Sequence, residues 1–272
     1  MNTSPETGGT DWLRLFPDAD YRLPMNLRPG DAARFWTPRA DAAPVLAERR
    51  QWLQTHPQRH LQILPQGREA TAEALEWLSA QTGLDLPDER AAAEKLEADF
   101  LVLGGDSEAI FPVWAGAVIF PSSWALEEKI GRPLAEVHAP VPGLESALGA
   151  SIATFLGRIA PGAAWERENW GLSADPRLNQ HPAIAIERLN AGAQLENTWL
   201  RLERQFLTRL PCTRALLFGI RVSNHRLDAL AALPGVASRL ARALETMPEP
   251  LAAYKGLDSA RGGLVAALRA VS

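Results

Sequence analysis

The sequence predicts an α+β fold in which helices come first, an antiparallel sheet occupies the middle and a helical tail ends the chain. Up to about residue 96, apolar residues recur at the three-to-four-residue spacing of amphipathic helices. Between residues 99 and 222, short apolar runs and alternating runs typical of strands predominate. Beyond residue 226, helical stretches are broken by Pro234, Pro248 and Pro250.

The N-terminal part is predicted to be helical after an irregular start. Residues 1–20 are expected to be loosely ordered, and residues 21–272 to form a single domain. Prolines and a glycine punctuate residues 21–31, which are therefore predicted to lie as an irregular segment on that domain. Helices are predicted over residues 43–56, 69–82 and 88–96. Asp88 is expected to cap the third helix.

Strands are predicted from apolar runs and from alternation of apolar and polar residues. The segments concerned are residues 99–103, 110–120, 164–172, 183–188, 198–207 and 215–222. Within residues 198–207, side chains of successive residues must point to opposite faces of the sheet. One face carries Leu200, Leu202, Arg204 and Phe206. The other face carries Trp199, Arg201, Glu203 and Gln205.

Between these two groups of strands, residues 120–143 contain a short helix and a proline-rich loop. Ser122 and Ser123 are expected to cap the helix, and Gly131 is expected to end it. Residues 134–137 are predicted to be extended, so that His138 stands on a non-helical loop stiffened by the prolines that follow it. A helix is predicted over residues 144–159 because apolar residues recur there every three to four positions.

Composition limits the classes of function. The net charge of −4 argues against nucleic acid as the main partner, because phosphate binding needs a basic surface. The N-terminus lacks the features of a secretory signal, and no apolar run reaches the roughly 20 residues of a membrane span. The single cysteine, Cys212, excludes an internal disulfide and an iron–sulfur cluster within the chain. A cytoplasmic protein is therefore predicted.

Several short motifs resemble one known family. They are FPSSW, K-x-G-R-P-L and HAPVPG within residues 120–143, MNLRP at 25–29, R-x-N-W at 167–170, R-x-E-R-Q-x-L-x-R-L-P at 201–211, and Y-K-G at 254–256. In order and number they resemble the haem-binding α subunit of the haem-dependent oxidative N-demethylases, of the dimethylamine monooxygenase type. That resemblance implies a PAS-like antiparallel sheet and a haem b cofactor. The family tends to have a Thr-Tyr-like pair where this chain has Val222-Ser223, a difference that bears on the substrate.

His138 is the metal ligand that the resemblance implies. A lone histidine in a loop is, by itself, most simply a structural or surface residue. Haem, however, needs only one protein ligand, and the second nitrogen of an axial imidazole needs an acceptor that fixes the ring. Cys212 is the alternative ligand, although its position at a strand–turn corner favours an inert small hydrophobic residue.

Polar and basic residues interrupt the apolar strands. A buried guanidinium must be paired, and a haem propionate is a suitable bidentate partner, whereas Arg–Glu pairs on a solvated face would contribute only solubility. The resemblance implies cofactor-binding roles for His138, Arg167, Asn169, Arg204 and Arg221, and a place in the site for Arg201. Glu203 and Trp170 are the candidate catalytic residues, because a small cationic amine requires an acidic or aromatic wall.

The implied activity is O₂-dependent removal of an N-methyl group from a small secondary amine such as dimethylamine, with release of formaldehyde. The chain has no dinucleotide-binding fingerprint, so a separate reductase subunit carrying flavin and an iron–sulfur cluster is implied, and with it a hetero-oligomer. Two alternatives stay open. One is a non-catalytic PAS-like sensor or scaffold subunit that binds haem or another ligand, and the other is a haem enzyme with a different substrate.

Overall fold

The fold is given by a computed structural model that describes residues 10–23, 25–105 and 110–272. Seven strands of the described residues form one sheet in which every pair of neighbours is antiparallel. The strands are β1 (Arg28–Pro29), β2 (Leu61–Ile63), β3 (Asp99–Leu103), β4 (Val113–Ala117), β5 (Trp165–Ser173), β6 (Trp199–Arg209) and β7 (Leu216–Arg226). Their order across the sheet is β1-β5-β6-β7-β3-β4-β2.

Helices precede, interrupt and follow the sheet. Before β3 lie α1 (Trp12–Leu15), α2 (Ala32–Trp36), α3 (Ala43–Thr55), α4 (Pro57–His60), α5 (Arg68–Thr82) and α6 (Glu89–Lys95). Between β4 and β5 lie α7 (Leu134–His138) and α8 (Ala150–Arg158). The tail consists of α9 (Leu227–Ala231), α10 (Val236–Thr246), α11 (Glu249–Tyr254) and α12 (Arg261–Ala270). The predicted α+β class, with N-terminal helices and a helical tail around an antiparallel sheet, is confirmed, whereas the PAS-like topology stays a prediction.

Local signals explain the ends of the N-terminal helices. The Asp88 carboxylate accepts a hydrogen bond from the backbone N–H of Ala91 at 2.7 Å, which is the predicted cap of α6. Gly83 ends α5 with a left-handed φ of 71°, a conformation that costs glycine little. None of the helices in the described ranges is long and apolar enough to cross a membrane.

The alternation of the strands divides the side chains between two faces of the sheet. We call the face that carries Arg167 and Glu203 the front face, and the face that carries Trp170 and Arg204 the back face. Register confirms the division, because Arg167 pairs with Gln205 and Asn169 pairs with Glu203, while Trp170 pairs with Leu202.

The back face is covered along its length. The C-terminal helices and α1 pack against β5 and β6, burying Trp170, Leu202 and Leu240 in one apolar cluster. The N-terminal helices pack against β7, β3 and β4, burying Trp36 and Phe206 in a second cluster. Because two apolar clusters fill the back face, little room remains there for a large ligand.

The front face is covered mainly at one end. Leu156 of α8 is buried there with Leu207 and Leu216 of the sheet. Several apolar side chains of the covering layer stay half-buried, among them Ile152 and Phe155 of α8. The front face is therefore the more open side of the sheet.

Three predictions of local structure are wrong. Ser122 and Ser123 were expected to cap a helix, but the single turn Leu126–Glu128 begins after Ala125 without a side-chain cap, and the Ser122 hydroxyl donates to Glu203 instead. Residues 134–137 were expected to be extended with His138 in a loop, but they form α7, and His138 is its last residue. Pro133 ends the preceding turn and also suits the start of the next helix, since its fixed φ is −56°. Residues 183–188 form no strand, because alternation alone does not provide a neighbouring strand edge, and the segment begins with a turn from His181 to Ile184.

The predicted loose N-terminal segment lies partly outside the described residues, which begin at residue 10. Within the rest of that segment, Asp11 caps the one-turn helix α1 through a hydrogen bond from the Arg14 N–H. Trp12 and Phe16 are buried against the C-terminal helices. Pro24 of the predicted irregular segment also lies outside the described residues.

Candidate functional site

The candidate site is the front face of strands β5 and β6 on the side where α7 and α8 lie. We call this region the front cleft, and His138, Ile152 and Phe155 lie on its helical side. Phe155 meets the ring of Trp165 edge-on at 5.3 Å between centroids, which fixes α8 above the start of β5. The floor consists of the front-face polar residues Arg167, Asn169, Arg201, Glu203 and Gln205. An apolar wall thus faces a polar floor.

His138 lies at the C-terminal end of α7 and is half-buried. Burial lowers the pKa of its imidazole, and the positive charges of Arg167 and Lys129 lower it further. The ring is therefore neutral at pH 7, which is the form that can bind a metal. No residue in the described part of the chain hydrogen-bonds the ring, so the acceptor expected for its second nitrogen is not among them.

Glu203 is the centre of the polar floor. Its Oε1 accepts a hydrogen bond from Ser122 Oγ at 2.5 Å. Its Oε2 accepts hydrogen bonds from Gln205 Nε2 at 2.9 Å and from Asn169 Nδ2 at 3.3 Å. A carboxylate has about four acceptor positions, so the described donors leave one position for a further N–H group.

Arg201 fixes the turn that brings Ser122 to Glu203. Its Nε donates to Ser122 Oγ at 2.7 Å, and its Nη2 donates to the carbonyl oxygens of Phe120 and Pro121 at 2.8 Å and 3.3 Å. Burial lowers the pKa of the guanidinium to about 10, although the negative charges of Glu203 and Asp99 act to raise it. The hydroxyl of Ser122 therefore links a buried cation to the carboxylate.

Lys255 is a further residue near the floor, and the site residues chosen from the sequence did not include it. Its Nζ donates to the carbonyl oxygen of Trp170 at 2.7 Å. This carbonyl is available because β1 pairs only with Trp165 and Glu166 of β5. Burial lowers the pKa of the ammonium group, and Glu203 opposes that effect while Arg167 adds to it. The Y-K-G motif was the signal that could have placed Lys255 in the site.

The structure brings some of the predicted site residues together and separates others. His138, Arg167, Asn169 and Glu203 lie around the front cleft. Trp170, Arg204 and Arg221 lie on the back face. The period of two accounts for this separation, because Trp170 directly follows Asn169, and Arg204 directly follows Glu203.

The back-face residues have structural contacts of their own. Trp170 packs edge-on against Phe16 at 5.3 Å between ring centroids. Burial lowers the pKa of Arg204, and the nearby carboxylate of Glu166 opposes this effect. The guanidinium of Arg221 donates to the carbonyl oxygen of Phe35, at the end of α2. The contacts of Trp170 and Arg221 hold the α1 and α2 regions against the sheet.

A haem, which the motifs imply, can be tested against the residues of the front cleft. His138 offers a neutral imidazole, and the half-buried apolar side of α8 offers a surface for a flat apolar group. Gly171 adds space on the floor, since a Cβ built there would meet nothing within 4 Å. Arg167 supplies a half-buried cation for a carboxylate. The donor set fits a group that takes one imidazole and presents carboxylates.

A metal centre made of protein ligands alone does not have the same support. Within the described ranges, no group of three or more His, Cys, Asp or Glu residues is placed to hold a metal ion. Cys212, the alternative ligand, is exposed, and the nearby carboxylate of Glu73 raises the pKa of its thiol, which disfavours the thiolate.

Comparison with known protein families agrees with the motifs. The sequence model of a family described as haem-dependent oxidative N-demethylase, alpha subunit-like, matches residues 89–265. The match covers more than half of the chain, from the start of α6 into α12, and it includes His138 and every residue of the polar floor. The resemblance found in the sequence is confirmed. The chain belongs to the haem-dependent oxidative N-demethylase, alpha subunit-like family.

Proposed function

We propose that this protein binds haem b through His138 and acts as the oxygen-activating subunit of an amine N-demethylase. The observation that carries the proposal is the position of His138, which is half-buried at the end of α7, near Arg167 and on the same side of the sheet as the half-buried apolar residues of α8. We propose further that residues 21–272 work as one haem-binding domain, since strands from both halves of the chain meet in one sheet.

Bound haem would supply the activation of O₂ at iron. In the overall reaction, a methylated secondary amine, O₂, two electrons and two protons give the demethylated amine, formaldehyde and water. The chain has one cysteine, so an iron–sulfur cluster for electron delivery must be held by another chain. The family description "alpha subunit-like" agrees with a hetero-oligomer in which a flavin and iron–sulfur reductase is a partner.

The polar floor of the cleft would orient the amine. Glu203 has one acceptor position left, and it would receive an N–H of a cationic secondary amine such as dimethylamine. Ser122, Gln205 and Asn169 hold the carboxylate in one orientation, so that the amine is held in a fixed position. Such positioning is a large part of catalysis in reactions of this type.

The cations divide between the two faces. We assign Arg167, the cation near His138, to a propionate of the haem, with Asn169 beside it. Trp170 would support this arrangement from the back face by fixing β5 and the Lys255 ammonium. The predicted cofactor contacts of Arg204 and Arg221 have no support from the geometry, because both side chains point away from the cleft.

The test is the absorption spectrum of the purified, haem-supplied protein in oxidised, reduced and CO-bound forms. The wild-type protein should show the Soret band and CO difference spectrum of histidine ligation, and His138→Ala should lose both. An unchanged spectrum in His138→Ala would refute the assignment of the ligand. His56→Ala is the matched control, because His56 is a described histidine outside the cleft, and it should leave the spectrum unchanged.

Activity then separates the demethylase from a sensor or scaffold subunit. A surrogate reductase, NAD(P)H and dimethylamine should yield formaldehyde, and Glu203→Gln should raise KM for the amine while leaving the spectrum unchanged. Haem-loaded protein that receives electrons and yields no formaldehyde from this or other secondary amines would favour the non-catalytic alternative.

A further inference from the structure

The guanidinium of Arg201 has one N–H group without a hydrogen-bond partner among the described residues, and the proposed haem and amine contacts do not involve it. The residue is 4% exposed, and its Nε and Nη2 are hydrogen-bonded to the turn at Phe120–Ser122. Its Nη1 is buried and has no hydrogen-bond partner in the part of the chain that the structure describes. A buried donor without a partner is costly, and such groups often mark a bound ligand or water.

The charges around Arg201 are unequal. Burial lowers the pKa values of three cations near the floor, Arg167, Arg201 and Lys255, and the opposing negative charge common to all three is Glu203. The hydrogen bonds that Glu203 accepts come from the neutral groups of Ser122, Asn169 and Gln205. Glu203 is thus the carboxylate shared by the three cations, while Asp99 also acts on Arg201 and Glu168 also acts on Arg167.

The rung of the sheet that contains Arg201 also has room on one side and, on the other, a second polar atom without a partner among the described residues. Gly171 pairs with Arg201 on one side, and a Cβ built on Gly171 would meet nothing within 4 Å. Asn224 pairs with Arg201 on the other side, and its buried Oδ1 lacks a hydrogen-bond partner among the described residues. The turn above the rung includes Ser123 at φ 61°, a left-handed conformation uncommon for serine.

We propose that Arg201 binds a carboxylate at this rung of the front cleft. Two carboxylates have suitable chemistry: a propionate of the haem, and the carboxylate of the substrate itself. In the second case the substrate is an N-methylated amino acid, whose ammonium group reaches Glu203 while its carboxylate reaches Arg201. Arg201 and Glu203 are two residues apart on one strand face, about 7 Å between Cα atoms, which suits the two ends of a small zwitterion. This second case rests on the proposed function.

The experiment measures binding, so it does not depend on turnover. Apoprotein is titrated with haem and with haem dimethyl ester, and the haem-loaded protein is titrated with N-methylglycine and with dimethylamine. Each titration uses the wild type, Arg201→Met, Arg201→Lys and the control Arg158→Met, which removes an exposed arginine at the end of α8. Loss of one charge-assisted hydrogen bond should weaken binding about tenfold or more.

Each outcome decides one point. If Arg201→Met weakens binding of haem but not of its dimethyl ester, the carboxylate is the propionate. If Arg201→Met weakens the binding of N-methylglycine and leaves the binding of haem and of dimethylamine unchanged, the carboxylate belongs to the substrate. Arg201→Lys should retain part of the affinity for the ligand that carries this carboxylate, and Arg158→Met should retain the full wild-type affinity.

The proposal is overturned if haem and its ester bind wild-type protein equally well and N-methylglycine binds no better than dimethylamine. Both comparisons use wild-type protein, so this outcome overturns the proposal even if the Arg201 variants fail to fold. Because Arg167 is also assigned to a propionate, a preference for haem over its ester is attributed to Arg201 only if Arg201→Met abolishes it. The His138→Ala spectrum is independent of this result, so failure of the carboxylate site and failure of the proposed haem ligand can be told apart.

Discussion

The buried ion pair between Arg49 and Asp99 offers a sharp test of how the front cleft is built. Arg49 Nη1 lies 2.7 Å from Asp99 Oδ1, and the two side chains are 0% and 1% exposed. Asp99 also accepts hydrogen bonds from the backbone N–H groups of Ile119 and Phe120, both at 2.9 Å. This pair therefore fixes the start of the turn that carries Ser122 to Glu203.

We predict that Asp99→Asn lowers the free energy of unfolding by about 3–5 kcal/mol, because it leaves the Arg49 charge buried without its partner. The amide nitrogen that replaces one carboxylate oxygen cannot accept a backbone hydrogen bond, which adds to the loss. Such a loss is a large part of the roughly 5–15 kcal/mol that stabilises a typical protein. Urea unfolding followed by tryptophan fluorescence at pH 7 measures it.

The exposed pair Arg132–Glu136 is the matched control. Its atoms lie 3.5 Å apart and its side chains are more than half exposed, so Glu136→Gln should cost less than about 1 kcal/mol. Arg49→Met and the double variant complete a cycle in which the double loss should be smaller than the sum of the single losses. A loss below about 1 kcal/mol for Asp99→Asn would refute the argument, as would strict additivity in the cycle.

Two further predictions concern stability. Burial lowers the pKa of His60 below its usual 6.5. Below pH 6.5 the unfolded chain therefore binds a proton that the folded protein resists, and the melting temperature should fall from pH 6.5 downwards until the folded-state pKa is reached. His60→Asn should flatten this slope, and an unchanged slope would contradict the reasoning. For packing, a Cβ on Gly219 would lie 2.5 Å from Trp36 Cη2, so Gly219→Ala should cost about 1–3 kcal/mol, whereas Gly171→Ala should stay within about 0.5 kcal/mol. If Gly219→Ala and Gly171→Ala unfolded at the same urea concentration, this packing argument would be refuted.

Most of the sheet could be predicted because its strands carry their own signals. The predicted segment 99–103 coincides with β3, and residues 198–207 fall almost wholly within β6. Alternation also predicted the two sets of side chains on β6, and the burial of Leu200, Leu202 and Phe206 on the back face agrees with it. The failure at residues 183–188 shows the limit of this signal, because a strand also needs a partner whose edge is free.

The site could be predicted only in part. Alternation alone implied that Arg204 could not share a face with Arg201 and Glu203, and that Trp170 could not share one with Asn169. The prediction that these residues form one site is therefore inconsistent with the alternation of side chains along a strand. Which face carries the cleft depends on the register between distant strands and on the placement of α7 and α8, and neither is encoded in the period of a single segment.

The arrangement of helices explains why the front face is available for a ligand. The helices before β3 and those after β7 pack on the back face, where they fill both halves with apolar side chains. The front face receives α7 and α8 over one end, and Ile152 and Phe155 of α8 remain half-buried. Burial of the apolar surface that is still exposed on these side chains would stabilise the fold by about 25 cal/mol per Å². A flat apolar group bound beside His138 would recover part of it, so binding of the proposed haem would stabilise the fold.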